Sequence, residues 1–253
     1  MAKRWIPVSS RLSVRNRELD RPSYGFGLAR AAGLVLNYFV GHQYLYPIIL
    51  SIILRFVDPS AEVTPLWAVI IWYGTTILVT LLFAWPLLVE SWDIFRRNIK
   101  QTFQVSLTLF PIMYLTSIAI SVLISVVSGQ ATSGNQTSLN ELLGAYPVLT
   151  LALTVLFAPI VEELVFRGAF YRYFRAKGMY WFPIFVSAAA FSLIHIWVAL
   201  RAGQFTELWF FPLYAVLGIF LSLAYEKTGS IYGSILLHFT YNAVGMLIAL
   251  IAR

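Results

Sequence analysis

Long apolar runs separated by short polar breaks set the architecture of this chain. A run of about twenty apolar residues can cross the hydrocarbon core of a bilayer as a helix. Seven such runs are present, at 32–56, 66–89, 104–127, 146–165, 182–200, 207–225 and 231–250. The pattern predicts an all-α, polytopic transmembrane helical bundle of about seven spans. Gly41-His42-Gln43 and Pro47 interrupt the first run, which predicts a kinked or re-entrant segment. The fourth opens on Tyr146-Pro147, and its Pro159 is expected to kink it just before Glu162. The longest polar break, Ser128 to Asn140, is rich in Ser, Gly, Gln and Thr and reads as a flexible linker. The chain thus divides into a tail (1–31), N-terminal transmembrane helices (32–127), a polar linker (128–145) and a C-terminal transmembrane domain (146–253). No internal repeat is evident, so the inverted-repeat signature of many transporters is missing.

Composition agrees with a cell-membrane, multi-pass protein: 59% of the 253 residues are hydrophobic and 11% charged, where a soluble domain carries roughly a quarter charged. The placement of charge adds orientation. With the N-terminus in the cytoplasm, the inside segments hold Lys3, Arg4, Arg11, Arg15, Arg17, Arg21 and Arg30, then Arg96, Arg97 and Lys100, then Arg167, Arg172, Arg175 and Lys177, then Lys227. The outside segments hold Arg55, Arg201 and Arg253. This asymmetry fits the positive-inside rule and an odd number of spans, and it puts the 128–145 linker outside. The basic residues form no stripe interleaved with aromatics, so the net charge of +7 does not point to nucleic acid. The first thirty residues lack an apolar h-region, which predicts that the first span, not a cleaved signal peptide, targets the chain. Asn135-Gln136-Thr137 matches a glycosylation sequon, a weak signal.

Ionisable groups are costly inside a bilayer and mark functional sites there. Three patterns place them on separate apolar segments: Glu162-Glu163-x-x-x-Arg167, Phe191-x-x-x-His195 and His238-x-x-x-Asn242. Glu163 and Arg167, four apart, share a helix face and can pair. Glu162, rotated by about 100°, cannot share that geometry, so one glutamate is expected to be structural and the other free to face a cavity. The bland reading is that both end the helix at the interface beside Arg167. His195 shares a face with Phe191, and as a lone histidine it could simply bond a backbone carbonyl. His238 and Asn242 share a face, as a catalytic pair or as an interhelical polar clamp. Of three histidines, two lie in these patterns and His42 lies elsewhere.

Together the set can be assembled into a peptidase: a carboxylate deprotonates water beside a scissile carbonyl, and a His and an Asn donate to the oxyanion. With no cysteine in the chain, a thiol nucleophile is excluded. Ser187 and Ser192 lie in no nucleophile elbow. Tyr241 lies near the site but needs no role. A zinc alternative would take Glu162, His195 and His238 as three ligands, although no His-Glu-x-x-His is present on one helix.

The three patterns, in this order on successive membrane helices, resemble the CAAX-protease and bacteriocin-processing (Abi) family, which includes the type II prenyl-protein endopeptidases. The connecting text agrees, at Pro159-Ile-Val-Glu-Glu-Leu-Val-Phe-Arg-Gly168 and Thr228-Gly-Ser-Ile-Tyr-Gly-Ser-Ile-Leu-Leu-His238. The similarity covers about residues 146–245. It implies an intramembrane endopeptidase, read as glutamate-type in preference to zinc-dependent, in which Glu162 activates water with help from His195. His238 and Asn242 would stabilise the oxyanion, and Glu163 and Arg167 would hold the site together. The implied partners are membrane lipid and a peptide or protein C-terminus, lipidated or bacteriocin-like. The position of Arg167 and the basic 172–177 segment suggests a cavity opening towards the cytoplasmic half.

Two other classes are compatible with the same residues. One is a non-catalytic immunity or scaffold protein; the other is a transporter or channel using the polar groups for ions. One geometric demand is specific to the peptidase. His195 lies about 20 Å into its span and His238 about 10 Å into its own, at 1.5 Å per residue, yet the site needs them at one depth. The fifth span is therefore expected to begin below the membrane surface, near Tyr180-Trp181, or to tilt strongly.

Overall fold

A computed structural model describes residues 26–60 and 64–251. Most of the basic tail (residues 1–25) and Arg253 lie outside the described residues. All seven apolar runs are helical: α1 (Leu28–Val57), α2 (Leu66–Arg97), α3 (Ile99–Ser128), α5 (Pro147–Arg175), α6 (Trp181–Arg201), α7 (Phe205–Thr228) and α8 (Ile231–Ile251). A shorter helix, α4 (Gly134–Ala145), lies between α3 and α5. No strand occurs among the described residues. The chain is an all-α, multi-pass integral membrane protein.

The expected flexible linker is thus half helix. Ser133 starts α4 as its N-cap, with the side-chain oxygen accepting from Gln136 N–H at 3.2 Å. A polar composition hid the helix because α4 does not rely on an apolar stripe: of its own residues only Leu143 is buried.

Proline and glycine place the ends. Pro147 opens α5, where a missing N–H costs nothing. Gly229, at φ 68°, takes the left-handed conformation that ends α7 and turns the chain within two residues into α8. That turn is buried: Thr228, Ser230 and Ile231 are at most 2% exposed. Thr228 Oγ1 accepts from Ser230 N–H at 3.3 Å, and Ser230 Oγ donates to Ser91 O on α2 at 2.9 Å.

α5, α6 and α7 form the centre. In each, 44% of the apolar window is buried, against 17% in α1, α2 and α3, which turn most of their surface to lipid. Leu107, Leu115, Val122 and Val126 show this on α3: all are exposed on one side of the helix. α6 and α7 approach closely at Ala188 and Gly218. A Cβ on Gly218 would lie 2.7 Å from Ala188 Cα, so only glycine fits. Such small-residue contacts let helices gain van der Waals packing where lipid supplies no hydrophobic drive.

Three stretches have wide π turns: Asn37–Leu45 in α1, and Ala152–Phe157 and Leu164–Tyr171 in α5. The first coincides with Gly41-His42-Gln43. The expected break is therefore a local widening within a continuous helix, not a re-entrant loop. The π turns in α5 flank the short α-helical piece Ala158–Glu163, which contains Pro159 and both glutamates. π turns re-aim side chains relative to a regular helix and recur at functional sites.

α5 runs ten residues beyond the 165 boundary read from hydropathy. Its charged end is paired and buried instead of marking an interface. Arg172 bonds Glu90 Oε1 at 2.7 Å and Tyr225 OH at 2.9 Å. Arg175 bonds Glu226 Oε2 at 3.1 Å, and Tyr171 donates to the same carboxylate. The reading in which Glu162 and Glu163 merely end the helix beside Arg167 does not hold.

Candidate active site

The two adjacent glutamates occupy different environments, as their 100° offset requires. Glu163 and Arg167 have fully buried side chains, with Arg167 Nη1 2.9 Å from Glu163 Oε1. His238 Nδ1 donates to the same oxygen at 2.8 Å, and Ser234 Oγ donates to Glu163 Oε2. Arg167 Nη2 donates to Gly218 O at 2.8 Å, and its guanidinium lies 4.8 Å from the Phe191 ring centre. Glu163 and Arg167 therefore tie α5 to α7 and α8, as support residues would. Such a buried pair requires nearly every lone pair and proton to be matched.

Glu162 faces the other way, into a cavity of about 510 Å³. Its Oε1 accepts from Tyr38 OH at 3.3 Å. Its Oε2 is buried and has no hydrogen-bond partner, and it lies 4.0 Å from His195 Nε2. That gap is too long for a hydrogen bond and of the order that one bridging water spans.

His195 donates Nδ1–H to Phe191 O at 2.7 Å, which leaves Nε2 pointing towards Glu162. The backbone-bonded histidine considered from sequence is thus real, and its second nitrogen still reaches the cavity. Phe191 backs the site: its ring lies 4.4 Å from the His195 ring and 5.8 Å from the His238 ring, centre to centre. Asn242 Nδ2 donates to Thr154 O at 2.8 Å, within a π segment of α5. Glu162, His195, His238 and Asn242 all line the one cavity.

The two histidines meet despite the depth mismatch. α6 does begin at Trp181, as expected. The buried α7–α8 turn contributes as well, since α8 starts inside the protein and not at its rim. Ser187 and Ser192 are not nucleophiles in waiting: they donate to Phe166 O and Phe211 O at 2.9 and 2.7 Å.

Several lining groups escaped the sequence reading. Tyr38 and His42, both on α1, line the cavity and stack on each other with ring centres 5.7 Å apart. Tyr214 on α7 stacks on His195 at 4.6 Å. Tyr241, expected near the site, does line the cavity, with its hydroxyl donating to Ser117 Oγ at 3.1 Å. A signal for the α1 pair was present: Tyr38 and His42 have the same four-residue spacing as Phe191 and His195.

The cavity does not extend towards the basic 172–177 segment. Beyond Glu162, no later residue of α5 lines it; it reaches instead to Ala131–Ser133 and the first half of α4, at the opposite end of α5. The expected opening towards Arg167 and 172–177 is therefore corrected.

The zinc alternative takes Glu162, His195 and His238 as its ligands. Among the described residues no group of three or more His, Asp or Glu side chains is placed to hold a metal ion.

Residues 144–244 match the family model of the type II CAAX prenyl endopeptidases, Rce1-like. The matched stretch carries all three motifs, in agreement with the resemblance read from them. The chain is also similar to two Lactococcus lactis subsp. lactis (strain IL1403) proteins. It is 29% identical to UPF0177 protein YvdC over 145 residues, 57% of this chain and 52% of that protein. It is 30% identical to UPF0177 protein YbdI over 99 residues, 39% of this chain and 48% of that protein. The chain spans about half the length of these curated relatives. No solved structure matches it.

Proposed function

We propose that this chain is an intramembrane endopeptidase that uses Glu162 to activate water. The observation carrying this reading is the unpartnered Glu162 Oε2 facing His195 Nε2 across 4.0 Å in a cavity. In a bilayer-embedded protein an acceptor left without a donor needs a reason, and a water between these two groups supplies one.

In this mechanism the water oxygen attacks the carbonyl carbon of the scissile bond as its proton passes to Glu162. His195 Nε2 accepts the water's second hydrogen bond and orients it. The carbonyl π electrons move onto oxygen, giving a tetrahedral oxyanion. One N–H of Asn242 is held by Thr154 O, leaving the other for the oxyanion. His238 already gives Nδ1–H to Glu163, so in this mechanism it donates Nε2–H to the oxyanion as an imidazolium. Collapse of the intermediate breaks the C–N bond, and the proton held by Glu162 goes to the leaving amine. No step passes through a metal.

The family match supports a peptide substrate at the membrane; we take it to be a peptide or protein C-terminus, lipidated or bacteriocin-like. The test is a cleavage assay on purified wild type and Glu162→Ala, with a lipidated CAAX peptide and a bacteriocin leader peptide, with and without a zinc chelator. Cleavage that survives chelation and disappears in the variant is the expected result. Loss on chelation overturns the glutamate-type mechanism. A Glu162→Ala variant that retains full function in a cellular immunity test overturns the enzyme reading in favour of a binding protein.

A further inference from the structure

We propose that α4 is a lid over the cavity, so that a peptide enters from the face of the bundle on which α4 sits. The peptide as occupant rests on the peptidase reading; the lid itself does not. Three observations converge. The turn before α4 and its first half wall the cavity through Ala131, Thr132, Ser133, Asn135, Gln136 and Leu139. At the other end of α5, Arg172 and Arg175 are buried in ion pairs with Glu90 and Glu226, which closes that route. α4 is also lightly held, since only Leu143 of its residues is buried. Segments with little buried apolar surface open at low free energy.

What holds α4 down is a polar latch at its N-terminus. Gly134 N–H donates to Glu207 Oε1 at 2.8 Å. Ser133 Oγ and Tyr214 OH bond at 2.7 Å, and Asn135 Nδ2 donates to the same Tyr214 oxygen at 3.3 Å. Glu207 is buried, and its Oε2 has no hydrogen-bond partner. Its carboxylate is therefore poorly repaid for losing water, which favours a latch that releases. Tyr214 carries the latch to the chemistry, because its ring stacks on His195. The hinges are present too: Gly129 at φ 72° on one side, and the non-helical Tyr146 before Pro147 on the other.

The chain has no cysteine, and a Cβ on Gly134 would lie 3.8 Å from Ala199 Cβ, the usual disulfide spacing. Gly134→Cys/Ala199→Cys therefore locks α4 to α6 reversibly. Oxidation should cut cleavage by about tenfold or more, as for a blocked closing element, and reductant should restore it. Equal rates before and after a mass-verified crosslink overturn the lid. A second arm needs no activity: Ser121→Cys, in the cavity wall, is labelled with a water-soluble methanethiosulfonate. Adding Tyr214→Phe, which removes the bonds to Ser133 and Asn135, or Ser133→Ala, which removes the bond to Tyr214 and the N-cap bond to Gln136, should each speed labelling several-fold; unchanged labelling in both overturns the proposal. If the uncrosslinked protein cleaves nothing, the peptidase reading fails while labelling still decides the lid.

Discussion

Glu162 and Glu163 are adjacent in sequence, yet Glu163 is fully buried among donors from Arg167, His238 and Ser234 while Glu162 leaves an oxygen unpartnered at a cavity. A helix separates neighbouring side chains by about 100°, so in the proposed mechanism one turn of α5 serves both structure and chemistry. Their substitutions should separate accordingly. Glu163→Gln strands the fully buried Arg167 charge and should cost about 3–5 kcal/mol of stability. Glu162→Gln should leave thermal stability near wild type while lowering kcat by about 10²–10⁴. Thermal unfolding in detergent beside the cleavage assay separates the two. Equal destabilisation by both would remove the division of labour.

Tyr38 gives α1 a stake in the site, since its hydroxyl donates to Glu162 Oε1 and so fixes which oxygen is left free. Tyr38→Phe keeps the ring packing on His42 and Phe166 and deletes that one bond. A hydrogen bond to a carboxylate, worth about 1.5–3 kcal/mol, corresponds to roughly ten- to hundredfold in rate. The expected result is that loss in kcat with KM little changed. A raised KM at constant kcat would instead make Tyr38 a substrate contact.

Gly218 is where α6 and α7 meet and where Arg167 finds its carbonyl acceptor. In Gly218→Ala the new Cβ would meet Ala188 Cα at 2.7 Å, a backbone atom that cannot rotate away. The helices must part, and overpacking of this kind costs about 1–3 kcal/mol. Adding Ala188→Gly removes a Cβ but not the Cα, so it should restore only part of the lost melting temperature. Full rescue would show that the Cβ contact alone sets the spacing.

Seven spans and the residues Glu162, His195, His238 and Asn242 were legible because a bilayer makes both signals loud: apolar runs must be long, and polar groups within them are few. Other features depend on tertiary partners that spacing does not report. The extension of α5 to Arg175 needs Glu90 and Glu226 from other helices to neutralise its arginines. Helix α4 hides in a polar sequence because its latch is made by Tyr214 and Glu207, some seventy to eighty residues away. The contribution of α1 was obscured because Gly41 and Pro47 read as a break, whereas π turns absorb the irregularity and bring Tyr38 and His42 to the cavity.

The side of the membrane on which the cavity lies follows from the charge distribution and can be tested in the same cysteine-free chain. Glu141 on α4 and Lys177 in the α5–α6 turn are both exposed and lie at opposite ends of α5. By the alternation of spans read from the sequence, fifteen of the eighteen Lys and Arg residues fall on the Lys177 side, so the positive-inside rule predicts Lys177 in the cytoplasm. An impermeant maleimide on intact cells should therefore label Glu141→Cys and leave Lys177→Cys unlabelled until the cells are opened. With the cavity walled by α4, that result means that peptides reach Glu162 from outside the cytoplasm, which suits a bacteriocin-like peptide better than a prenylated cytoplasmic C-terminus. The opposite labelling would reverse the orientation and turn the same cavity towards cytoplasmic C-termini, leaving the geometry at Glu162 and His195 unchanged and altering only the substrates able to reach it.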